Sequence, residues 1–144
     1  MIVAAIVTLL AVGFPVFHLL SDLHPIRTGV SVASAEVTFL KLPSTASDVS
    51  YWENGYFWMA DFTLPEEDFL AVFPKFQFIP ITDSERVELL VYGDPNQPPY
   101  RQFDRPVRKV TSGLIYETRQ GNGGGFRIVY DRDASKGYFR FVAR

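Results

Sequence analysis

Hydrophobic and polar positions divide the chain into three regimes. Residues 1–20, MIVAAIVTLLAVGFPVFHLL, carry no formal side-chain charge, and 15 of the 19 residues from 2 to 20 are hydrophobic. At about 1.5 Å per residue, a helix of that length just covers a hydrocarbon core of roughly 30 Å. The segment therefore predicts a transmembrane helix over residues 1–20. Pro15 is tolerated in membrane helices, and His18 lies near the end of the run, within reach of the interface. A buried core helix and a cleaved leader are the competing readings, the latter because Ala33 and Ala35 in SVASA make a small-x-small site. That site lies about 15 residues past the apolar run, which is poor spacing for cleavage. Residues 21–36, SDLHPIRTGVSVASAE, are small and polar and read as a juxtamembrane linker with room for a short extended piece.

From residue 37 onward the period changes. VTFLKL (37–42) is β-branched and apolar and reads as a strand ended by Pro43. DVSYWE (48–53) sets Val49 and Tyr51 on one side. ENG then signals a turn, and YFWMADFTL (56–64) sets Tyr56, Trp58, Ala60 and Phe62 on one face, which completes a hairpin. TLPEEDFLAVFPKF follows helical logic over about 64–73. Thr63 and Glu66 fit a capping box, Pro65 suits a first turn, and Glu66, Glu67 and Asp68 meet the positive end of the helix dipole. Phe69, Leu70 and Phe73 make one apolar stripe, and Pro74 ends the helix.

RVELLVYG (86–93) reads as a strand. DPNQPPYRQFDRPVRK (94–109), with four prolines, reads as a long loop. SGLIYETR, GFRIVYDR and GYFRFVA are the three strands of a C-terminal meander. The prediction is an α+β fold: a mostly antiparallel sheet with that meander and one short amphipathic helix, residues 37–144, preceded by the transmembrane helix.

Two turn segments resemble ligand loops. GNGGG (121–125) is followed by strand-like FRIVYD, not by the helix a phosphate loop needs, and Asn122-Gly123 is a strong hairpin signal. A three-residue loop, 121–123, opposes Glu117 to Arg127 and Tyr116 to Ile128, pairing charge with charge and apolar with apolar. In DRDASKG, Asp131, Asp133 and Ser135 have calcium-loop spacing. Position 6 is Lys136 rather than Gly, position 12 is Val142 rather than an acid, and the flanks are strands. Both segments read as turns.

Composition narrows the chemistry. The chain of 144 residues holds 13 Phe, 7 Tyr and 2 Trp, enough for an aromatic core in one domain. A net charge of −2 argues against a general nucleic-acid binder. There is no Cys, and the only two His are His18 and His24. No Cys- or His-based triad or zinc site fits within residues 37–144. Glu66, Glu67 and Asp68 are carboxylates for a glycosidase-type pair, but their helix-start position is reason enough for them.

Two surfaces are candidates for binding. The aromatics Trp52, Tyr56 and Trp58 would form a platform for sugar or peptide, or else serve as core. Arg101, Arg105 and Arg108 in the proline-rich loop would meet anionic head groups or an acidic partner, or else remain a solvated loop.

LKLPSTASDVSYW, followed by an aromatic strand and LPEEDFLAVF, resembles a pattern in small uncharacterised bacterial envelope proteins with an N-terminal apolar segment and an α+β domain. It covers about residues 40–73 and the terminal meander. The resemblance implies an envelope location and an α+β fold, and carries no catalytic residues.

The expectation is a single-pass, membrane-anchored binding or structural module without enzymatic activity. Its domain lies outside the cytoplasm, as single N-terminal anchors commonly arrange. Against that orientation, no Lys or Arg precedes the run and Arg27 follows it. The expected partners are the bilayer, through residues 2–20, and a protein or glycan; no cofactor, metal or nucleic acid is expected. A secreted domain after cleavage, a carboxylate-only enzyme, and an inhibitor or immunity-type protein are the alternatives.

Overall fold

The computed structural model describes residues 26–89 and 107–143. The expected transmembrane helix and most of the proline-rich loop, with Arg101 and Arg105, lie outside the described residues. The elements run β1 (Arg27–Val32), β2 (Ser47–Glu53), β3 (Phe57–Thr63), α1 (Glu66–Val72), β4 (Ile79–Pro80), β5 (Glu85–Glu88), β6 (Val107–Val110), β7 (Gly113–Glu117), β8 (Gly125–Asp131) and β9 (Lys136–Val142). Seven strands form one sheet in the order β1-β2-β3-β9-β8-β7-β4, and β5 and β6 form a separate ribbon. All the strand pairs described are antiparallel. Among the described residues the fold is sheet-dominated with one α-helix.

The predicted turns close the hairpins. Asn54 Oδ1 accepts the backbone N–H groups of Tyr56 and Phe57 at 3.2 and 3.0 Å, and Gly55 takes a φ of 80°. The 121–123 loop is closed by Gln120 N–H to Gly124 O at 2.8 Å and Gly123 N–H to Gln120 O at 2.9 Å. Glu117 therefore faces Arg127, and Tyr116 faces Ile128, as the loop length predicts. In DRDASKG, Asp131 Oδ1 accepts the N–H groups of Asp133 and Ala134, and Ser135 takes a φ of 50°.

Three expectations are corrected. The strand at 37–42 is replaced by a turn after a single 3-10 turn, Ser34–Glu36. Val37 and Leu40, three residues apart, both reach the core, and Leu40 N–H donates to Val37 O at 3.4 Å. The linker is partly sheet: Arg27–Val32 pairs with β2, so the sheet begins upstream of residue 37. The capping box does not form. Thr63 stays in the ladder opposite Lys136, Pro65 is the N-cap without a side-chain bond, and Glu66 is held by Arg132 through two bonds of 2.7 Å.

Strand alternation gives the large sheet two apolar faces. Tyr51, Ala60, Phe62, Leu114, Ile128, Tyr130 and Phe139 share one core with Phe69 and Phe73 of the helical segment. Phe69 lies 4.7 Å from Tyr130 between ring centroids, and Phe73 stacks on Phe139 at 6.2 Å. Leu70, which the stripe included, is 40% exposed. Gly137 lets Phe62 and the helix approach: a Cβ there would lie 2.6 Å from the Phe62 ring and 3.1 Å from that of Phe69. On the other face, Ile115, Val129 and Tyr138 pack under Val87 and Val110 of the ribbon, and Trp52, Phe57 and Met59 form a separate buried group.

Candidate functional site

Alternation in GFRIVYD and KGYFRFV sends Arg127 and Arg140 to the ribbon-side face, and the register sets them directly opposite each other. Like charges in that position repel. Each guanidinium is held by its surroundings. Arg127 donates to Glu85 Oε2 at 2.7 Å and to Arg86 O at 2.9 Å, both in β5, while its Nε lies 3.9 Å from Glu117 Oε2. That Nε is buried without a hydrogen-bond partner. The Arg140 guanidinium sits 5.5 Å over the Phe57 ring, within cation–π range. Two residues beyond Glu117, Arg119 Nε bonds Glu117 Oε1 at 2.9 Å.

Glu117, Arg119, Arg127 and Arg140 line an open cleft of about 330 Å³ beside the β7–β8 hairpin loop. Gly125 is one of its lining residues. With a φ of +145°, a Cβ at Gly125 would lie 2.1 Å from Thr118 O, so only glycine fits. Three arginines face the cleft with one carboxylate, Glu117. Guanidinium offers up to five planar donors and stays charged at any physiological pH, so the cleft suits an anion with several acceptor oxygens.

A smaller cavity of about 30 Å³ continues inward from Arg127 and Arg140 to Asp61 and Tyr138, with room for about one water. Asp61 is paired with Lys136 at 3.2 Å. Burial pushes the Tyr138 hydroxyl up to about 12, so it stays neutral near pH 7.

The opposite end of the sheet is clamped by ion pairs. Fully buried Asp131 takes Arg108 Nε on Oδ2 while its other oxygen caps the turn. Lys136 bridges Asp48 at 2.8 Å as well as Asp61. The hydrogen bond from Lys136 holds Asp48 below its ordinary value, and that from Arg132 does the same for Glu66.

The aromatics singled out from sequence do not share a surface. Trp52 is only 2% exposed and packs with Phe57 and Met59. Trp58 points to the opposite face, 4.8 Å from Phe141 between ring centroids, and Tyr56 is 54% exposed at the turn. The reason is parity: the register opposes Trp52 to Met59 and Glu53 to Trp58. Arg108 serves as a clamp on Asp131, in a strand rather than a loop. Arg119, Arg127 and Arg140 were not singled out. Their signal was present, because extending the Glu117–Arg127 register by one strand brings in Arg140. No group of three His, Cys, Asp or Glu among the described residues is arranged to hold a metal ion. No described helix is long and apolar enough to cross a membrane.

Fold and cleft together define a class: a sheet-dominated domain with a cationic cleft at one end of its sheet. No known protein family, curated protein or solved structure matches the chain.

Proposed function

We propose that this chain is a membrane-anchored, non-enzymatic binding module of the bacterial envelope. Residues 2–20 hold it in the bilayer, and the sheet lies outside the cytoplasm. The cleft of Arg119, Arg127 and Arg140 carries the binding half of this reading. Guanidinium groups recognise charge and geometry but supply neither a nucleophile nor a base at neutral pH. The chain has no Cys, and its two His precede the sheet, which further favours recognition over turnover.

Retention of the apolar run is supported by the role of β1. Cleavage at SVASA would remove Arg27–Val32 and strip β2 of its outer partner. The test is alkaline carbonate extraction followed by intact-mass measurement. Full-length chain in the pellet is expected. A soluble species starting at Glu36 would overturn the anchor.

A further inference from the structure

The ribbon is an arm of the sheet's edge, bent over one face. At that edge β4 pairs with β7, Ile79 opposite Ile115 and Pro80 opposite Leu114, and Ile81 N–H donates to Gly113 O at 3.0 Å. Beyond this bond the two strands leave the sheet side by side. Residues 82–84 lead into β5, Thr111 and Ser112 lead back from β6, and pairing resumes with Glu85 opposite Val110. Both connections are short and made of Thr, Asp and Ser, and residues 82–84 and Thr111 are exposed. Ser112 O is held by Arg132 N–H at 3.0 Å, which gives the bend a fixed base on the sheet.

What holds the arm down is local. Val87 and Val110 pack on Ile115, Val129 and Tyr138. Arg127 ties β5 through Glu85 and Arg86 O, and Asp131 ties β6 through Arg108. Among the described residues, β5 and β6 pair with each other and with no strand of the sheet. A two-stranded ribbon is marginal in water by itself, so its closed position depends on these side-chain contacts. The sheet has a separate support. The core on its other face, around Phe69, Phe73, Ile128 and Phe139, contains no ribbon residue. The sheet can therefore keep that core while the ribbon gives up its own.

We propose that the ribbon is a hinged flap, which lifts as a unit about residues 82–84 and 111–112 while the sheet stays folded, with Val87 and the Arg127–Glu85 pair as its latch. Openings of this kind occur below the free energy of global unfolding because they surrender few buried contacts. Lifting exposes the small cavity beside Asp61 and Tyr138. It also joins that cavity to the arginine cleft, because Arg127 and Arg140 line both. The flap thus controls access to the buried polar groups at the middle of the sheet, whatever holds the chain at a membrane.

The test is native-state hydrogen exchange on the full-length chain in neutral detergent micelles, read by mass spectrometry. Amides of 85–88 and 107–110 are expected to exchange at least about tenfold faster than those of β8 and β9, with a weaker dependence on urea. Val87→Ala, which removes buried apolar contact, is expected to speed ribbon exchange roughly fivefold or more. Glu85→Ala breaks a partly exposed ion pair and is expected to speed it roughly twofold to fivefold. Ile128→Val, in the opposite core, is expected to speed β8 and β9 roughly threefold to tenfold and to leave the ribbon unchanged, because its contacts survive in the open flap. Equal rates and equal urea dependence in ribbon and sheet overturn the flap. So does an Ile128→Val effect as large in the ribbon as in the sheet, since the ribbon then opens only with the whole domain. A ribbon rate unmoved by both Val87→Ala and Glu85→Ala overturns the latch.

Discussion

Asp131 joins three parts of the chain through two oxygens: the turn N–H groups of Asp133 and Ala134, and Arg108 from the ribbon. Its carboxylate is 1% exposed, so its own oxygens depend on these protein donors rather than on water. Asp131→Ala should cost about 2 kcal/mol in a urea melt, because it removes the acceptor of two turn N–H groups and of Arg108. Asp131→Asn keeps an acceptor for the turn and should cost less, while exposed Asp133→Ala should stay within about 0.5 kcal/mol. Equal losses at 131 and 133 would refute the clamp. Tyr138 sets a second test. Burial raises its hydroxyl from the ordinary 10.0 to about 12, so the folded state favours the neutral form. That stability is complete below pH 10 and is lost as pH rises from 10 to 12. Tyr138→Phe should flatten the alkaline decline in melting temperature, leaving the part due to Tyr130, which burial also raises. At the hairpin loop, the residue with positive φ is Gly123, at 86°, and not Asn122. Asn122 acts instead by accepting Gly124 N–H at 3.0 Å.

Among the elements, the meander and the 48–63 hairpin were the most legible from sequence, because turn chemistry and loop length together set their register. The helix was legible in place but not in detail. Phe69 and Phe73, i and i+4, share the buried face, and Leu70 turns outward. Phe69→Ala should therefore cost about 3–5 kcal/mol in denaturant unfolding, and Leu70→Ala less than about 1 kcal/mol. Comparable costs at the two positions would count against this packing. β1 was illegible because RTGVSV carries a bulge, with Ser31 at a φ of 49°, which breaks the period of two. Residues 37–42 misled because two apolar residues three apart serve a turn as well as a strand. The aromatic platform failed for a related reason. β3 is buried on both faces, so hydrophobicity could not say which side each ring takes.

For the molecule as a whole, the sheet carries ion pairs at both ends: Arg108–Asp131 and Lys136–Asp48 at one, and Arg27–Glu53, Arg127–Glu85 and Arg119–Glu117 at the other, where β1 begins. The cleft was hidden in sequence because Arg119, Arg127 and Arg140 come from the β7–β8 connection, β8 and β9, 21 positions apart at most. Only the register unites them. The central claim, a sheet held at the bilayer through residues 2–20 with its Arg27 end nearest the anchor, can be measured by distance. The chain has no Cys, so a thiol introduced by Gln120→Cys or by Asp133→Cys is the sole labelling site. Each variant carries a fluorophore and is reconstituted in vesicles containing headgroup-nitroxide lipid, with quenching as the readout. The account expects strong quenching at position 120 and little at position 133; equal quenching, or the reverse order, would contradict it.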